Sequence, residues 1–177
     1  MGRLKKAGEL MIPLEKYPHV PYWFSLRQAV AVLEKTKLHP DVPGGPSFAR
    51  FVLVFDETYK LLGITRRRDI LRGLKPHFPA GVPLQAQKTG PEEKPDPAAP
   101  EVSYDKMIEG LCEQAERPVS EVMLPIQATI DFEEDIFQVI YKMVENNVSM
   151  LPVLRENMVM GVVRSVEVFH EIAELIL

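Results

Sequence analysis

Over residues 136–144 the apolar positions Ile136, Val139, Ile140, Met143 and Val144 fall at the i, i+3, i+4, i+7 spacing of one helical face. Asn146 and Asn147 close that stripe. An apolar run over 150–154 follows, then the polar turn Arg155-Glu156-Asn157, then a second run over 158–163. This pattern predicts a strand, a turn and a strand, leading into a helix over 165–176. Upstream lie the hexad Glu121-Val122-Met123-Leu124-Pro125-Ile126 and a short extended piece, Ala128-Thr129-Ile130. Asp131 is read as the cap of the first helix, with Glu134 completing a capping box.

The first half carries the same order. Glu9-Leu10-Met11-Ile12-Pro13-Leu14 matches the hexad, and Pro18-His19-Val20 matches the extended piece. Ser25 and Gln28 form a capping box, and Leu26, Ala29, Val30 and Leu33 form a stripe. Residues 51–55 read as a strand, Asp56-Glu57-Thr58 as a turn and 59–65 as a second strand, with Asp69-Ile70-Leu71 opening the closing helix. An internal repeat is a stronger signal than any single motif. Each copy has three short strands and two helices, too few to bury both faces of a sheet alone, so the copies are expected to share a core.

Proline and glycine mark the breaks. Pro40, Pro43, Gly44, Gly45 and Pro46 form an insert over 39–46. Six prolines between Pro79 and Pro100, with few large apolar residues, read as an exposed linker. The expected organisation is a first repeat over 1–78, a linker over 79–103, a connecting helix over 104–117 and a second repeat over 118–177. Ile108, Leu111, Cys112 and Ala115 share one side of that helix, and Cys112 is read as a buried structural thiol. Trp23 and Phe24, just ahead of the first helix, are expected to cover the core.

Composition narrows the function classes. The 177 residues are 46% hydrophobic and 26% charged, which suits a globular protein with a core. A net charge of −4 gives no global attraction to nucleic acid or an anionic membrane. One cysteine allows no intrachain disulfide, and no run approaches the ~20 apolar residues of a bilayer span. The N-terminus lacks the apolar run of a signal peptide, so a cytoplasmic location is expected. His19, His39, His77 and His170 are scattered, and no nucleophile elbow, metal-spaced pair or glycine-rich phosphate loop is present, so the chain is read as non-catalytic.

The hexads, Ser149-Met150-Leu151-Pro152-Val153, Gly161-Val162-Val163 and the stretch 63–71 resemble the cystathionine β-synthase (CBS) domain family. The likeness covers roughly 8–75 and 118–177. It implies an α/β (α+β) fold of tandem CBS repeats, each β-α-β-β-α, packed face to face as a pseudo-twofold, free-standing Bateman-type module. It also implies clefts between the repeats that bind AMP, ADP, ATP or S-adenosylmethionine, pairing into a homodimer, and transmission to an unknown protein target. No cofactor is required.

The family's nucleotide signature places a hydroxyl residue three positions after a glycine and an aspartate three positions later. Here Arg66 and Arg164 stand at the hydroxyl positions, Asp69 and Glu167 at the acidic ones. By the resemblance the acids hold the ribose; the arginines, as bidentate phosphate ligands, favour a di- or triphosphate. Two outcomes are open, because each guanidinium can instead occupy its cleft by pairing with the nearby carboxylate. The resemblance places Pro18, His19 and Val20, with Ala128, Thr129 and Ile130, around the adenine. Val52 and Leu53, with Met150, Leu151 and Pro152, would form the apolar wall; core packing is the alternative for these aliphatic residues. Arg67, Arg68 and Arg72 read as a solvated face. The expected function is an adenine-nucleotide-binding regulatory module, and the alternative is a ligand-free dimerisation scaffold with degenerate clefts.

Overall fold

A computed structural model describes residues 3–38, 47–76 and 104–177. The insert over 39–46 and the linker over 79–103 lie outside the described residues. In the first repeat, α1 (Ala7–Leu10) and β1 (Ile12–Pro13) precede β2 (His19–Pro21) and α2 (Leu26–Lys35). Then come a small β3–β4 pair (Lys37–Leu38 and Ser47–Phe48), β5 (Phe51–Phe55), β6 (Leu61–Arg66) and α3 (Arg67–Leu74). Helix α4 (Tyr104–Ala115) leads into the second repeat, made of β7 (Ile130–Asp131), α5 (Ile136–Glu145), β8 (Met150–Arg155), β9 (Met158–Arg164) and α6 (Ser165–Ile176).

The repeats exchange their opening segments. One sheet runs β2-β5-β6, the other β1-β9-β8-β7, so β1 of the first repeat is the edge strand of the second repeat's sheet. It pairs antiparallel with β9, Ile12 opposite Val162 and Pro13 opposite Gly161. Reciprocally, Leu124 bridges Ile64 on β6. Backbone bonds repeat the symmetry. Ile136 donates to the carbonyl of Lys5 at 3.0 Å, as Leu26 does to that of Arg117 at 2.9 Å. Ala7 donates to Glu134 at 2.8 Å, as Val119 does to Phe24 at 2.7 Å.

The two apolar cores interlock in the same way. Val119, Met150 and Val162 belong to the cluster built on Leu26, Val52 and Ile70. Ala7 and Leu10 belong to the cluster built on Ile136, Leu151 and Val163. Lys5 reaches Glu171 on α6 in a further link between the halves.

Two glycines make the exchange possible. A Cβ on Gly161 would sit 2.2 Å from the carbonyl oxygen of Ile12, and one on Gly63 would sit 2.5 Å from that of Leu124. Each glycine lets a foreign backbone lie against the strand where any side chain would push it off.

Several local expectations change. Helix α5 is capped by Asp135, whose carboxylate accepts from Phe137 N at 2.9 Å and Gln138 N at 3.1 Å, and not by Asp131. Asp131 and Glu134 instead close a turn, with Asp131 N donating to Glu134 at 2.8 Å. The carbonyls of Phe132 and Glu134 are bonded to the N-terminal segment, which holds this stretch out of helical geometry until Ile136. Replacing Asp135 with alanine is expected to cost about 1 kcal/mol. Urea titration measures this, and an unchanged midpoint would mean the cap contributes nothing.

Strand β6 starts at Leu61, not 59, because Tyr59 takes a left-handed φ of 62° in the turn. Strand β7 is Ile130–Asp131 and not 128–130. Cys112 is exposed, because α4 buries only Ala115 among its residues. Phe24 packs on the first core, whereas Trp23 is exposed, stacked edge-on against Tyr22.

Candidate functional site between the repeats

Strand β6 ends at Arg66, which is also the N-cap of α3, so its side chain and that of Asp69 at the third helical position face each other. Arg66 Nε donates to Asp69 Oδ2 at 2.8 Å and Nη2 to Oδ1 at 3.0 Å, a bidentate fork. The Arg66 backbone N–H adds a third bond at 3.1 Å. Arg72 lies 3.6 Å from the same carboxylate. Asp69 is fully buried, and the Arg66 guanidinium holds its carboxyl below the usual range although burial alone would raise it.

The second repeat copies this arrangement at the start of α6. Arg164 Nε donates to Glu167 Oε2 at 2.9 Å and Nη2 reaches Oε1, while the Arg164 N–H bonds Oε2 at 3.2 Å. The self-paired outcome of the two open readings is therefore the one present in both repeats. The pairs differ in setting. The Arg66 side chain is 39% exposed and that of Arg164 is 9% exposed.

Arg66 lines a cleft of about 430 Å³ between the repeats. Phe51 and Ile64 flank it on the first repeat, and 124–128, 146–150 and Pro152 face it from the second. Of the expected site residues, this cleft gathers Arg66, Ala128, Met150 and Pro152. Asp69 lies behind Arg66. Thr129 and Ile130 line a separate hollow with Asp131 and Lys142. Val20, Val52, Leu53 and Leu151 are core residues, and Pro18 is buried too. His19 is half-buried, its Nδ1–H donating to the Tyr17 carbonyl at 2.8 Å. Arg164 borders another hollow with Arg50, Arg67 and Ser149. Gln127, Asn146 and Asn147 line the main cleft without having been singled out by sequence; they belong to no periodic stripe.

Residues 119–174 match the family model of the CBS domain. That segment carries the CBS domain match, and the fold of the chain is that of a CBS domain pair. Solved structures of CBS pairs superpose over nearly its whole length. CBSX2 from Arabidopsis thaliana matches at 13% identity and a TM-score of 0.62, covering 98% of this chain and 97% of the other. CBSX2 in complex with AMP matches at 15% and 0.60, covering 96% and 97%. The CBS pair of protein MJ0100, in complex with 5′-methylthioadenosine and S-adenosyl-L-methionine, matches at 17% and 0.60, covering 98% and 99%. No curated protein matches the sequence. Among the described residues, no helix of the CBS pair is long and apolar enough to cross a membrane.

Proposed function

We propose that this CBS pair is a non-catalytic regulatory module that binds one adenine nucleotide in the cleft lined by Arg66, and passes that state to a protein target. The observation that carries this reading is an open inter-repeat cleft whose wall sets apolar side chains beside the polar Gln127, Asn146, Asn147 and Ser149, and whose rim bears a pre-oriented guanidinium. Met150, Pro152 and Ile64 offer a surface for a base. Arg66, held by Asp69, offers its Nη1 to a phosphate. A ribose reaches the Asp69 carboxylate only when Arg66 turns toward that phosphate. The CBS pairs crystallised with AMP and with S-adenosyl-L-methionine support the class of ligand.

Isothermal titration with AMP, ADP, ATP and S-adenosylmethionine tests it. Saturable heat with at least one adenylate is expected, weakened at least about tenfold by Arg66→Ala, the loss of one charge-assisted contact. Absence of heat with all four up to millimolar concentration would overturn the reading.

A second reading, a ligand-free homodimerisation scaffold, draws on the closed Arg66–Asp69 and Arg164–Glu167 pairs and on the apolar residues that α5 and α6 leave exposed, Phe137, Tyr141, Val144 and Phe169 among them. It requires a dimer whose melting temperature ignores every adenylate. A ligand of the native state must raise that temperature.

A further inference from the structure

The two sides of this pair are related position by position, and among the described residues they are lined differently. The strand registers fix the equivalence. Val54 lies opposite Gly63 and Val153 opposite Gly161, each just before a bulge. Val20 pairs with Val54, and Ile130 with Val153, so Val20 and Ile130 correspond. Three residues back, Tyr17 corresponds to Gln127. By the same ladders Ile12 matches Leu124, Val162 matches Ile64, Met150 matches Phe51 and Arg164 matches Arg66.

Leu124, Gln127, Ile64, Phe51 and Arg66 all line the open cleft. Of their counterparts, Ile12 and Tyr17 are 2% exposed and Val162 0%, while Met150 faces the open cleft and Arg164, 8% exposed, borders the hollow with Arg50, Arg67 and Ser149. Tyr17 is the largest of them and belongs to the first core cluster. Its ring stands where the cleft would be, beside the Arg164–Glu167 pair, and burial pushes its phenol far up. Its hydroxyl is buried with the Phe51 backbone N–H near it but no hydrogen bond of ordinary geometry, an unusual cost for a core residue.

We infer that Tyr17 is a built-in occupant of the second cleft, so that the chain takes one nucleotide and not two. The inference rests on the proposed nucleotide binding for its ligand class. The phenol stands in for a ligand: it fills the apolar slot and brings a polar atom to the arginine–acid pair, where a phosphate-bearing molecule would otherwise meet Arg164. Replacing the ring with the residue found in the open cleft should expose that arginine.

Calorimetric stoichiometry with AMP and with ATP tests this. The wild type is expected to bind one nucleotide per chain, with Arg66→Ala weakening it at least about tenfold and Arg164→Ala sparing it. Tyr17→Gln is expected to bind two, and Tyr17→Phe, which keeps the ring, one. Two sites in the wild type, or loss of its one site in Arg164→Ala but not in Arg66→Ala, would overturn the inference. So would a Tyr17→Gln protein that melts cooperatively yet still binds one. If Tyr17→Gln does not fold, the wild-type count and the two arginine variants decide. Binding by Tyr17→Gln alone would uphold the role of Tyr17 and refute the open cleft as the nucleotide site. Binding by neither protein would end both proposals.

Discussion

Gly161→Ala is expected to destabilise the protein by about 3 kcal/mol, and Gly63→Ala by a similar amount, the upper part of the range for overpacking a filled site. The added methyl would lie 2.2 Å from Ile12 O in one case and 2.5 Å from Leu124 O in the other. Neither oxygen can yield cheaply, because each belongs to the backbone of an exchanged segment. Leu124 both donates to and accepts from Ile64, at 2.7 and 2.9 Å, and Ile12 is 2% exposed. Moving either segment breaks those bonds and opens the core beneath it. A glycine-to-alanine change also stiffens the unfolded chain, a gain of about 0.4–1 kcal/mol that offsets only part of the loss. Urea titration or a thermal melt reads the effect, a drop of about 10 °C in a chain of this size. A cost below about 0.5 kcal/mol in both variants would mean the strand exchange is not what these glycines protect.

The second large effect belongs to the Arg66–Asp69 pair. Arg66→Ala leaves a fully buried carboxylate with one backbone N–H and the more distant Arg72. Removing one partner of a wholly buried pair costs about 3–5 kcal/mol; the partial exposure of Arg66 brings the expectation down to about 2 kcal/mol. The pair also gives stability a pH dependence. Asp69 titrates near ~3.9 in an unfolded chain, and lower than its ordinary value in the folded one. The unfolded state therefore takes up the proton first as pH falls. The contribution is complete above about pH 4 and is lost as pH drops through the folded value. Asp69→Asn should flatten this acid limb relative to wild type while leaving the neutral-pH fold intact. An acid limb of unchanged steepness would assign the pH dependence to other carboxylates.

Much of the fold was legible because its signals are local. The stripes on α2 and α5, the Ser25–Gln28 box and the β8–β9 turn each follow from a few neighbouring residues, and the structure has them, except that Val144, read onto the α5 stripe, is exposed. The cap of α5 was misplaced because Asp131 and Asp135 offer the same chemistry, and the choice between them is made by backbone bonds from the other end of the chain. The exposure of Cys112 was missed because a helical stripe says which residues align, not how much partner surface they meet.

The site was less legible. Both arginine–acid pairs could be named through the resemblance to the family's nucleotide signature, and so could the chance that they close on each other. Which cleft stays open could not, since it turns on Tyr17 against Gln127, and a tyrosine ahead of a proline carries no pattern of its own. The two-residue difference between the opening segments of the repeats, taken up by a single turn over Leu14–Lys16, shifts that ring into register.

The interlocked edges also set a clock on synthesis. Ile12 leaves the ribosome about 150 residues before Val162, its opposite number. At ~5–20 residues per second that is an interval of roughly 10–30 s. Throughout it the nascent N-terminus presents an apolar edge whose complement has not yet been made, since in every finished chain β9 is already covered by that chain's own Ile12 and Pro13.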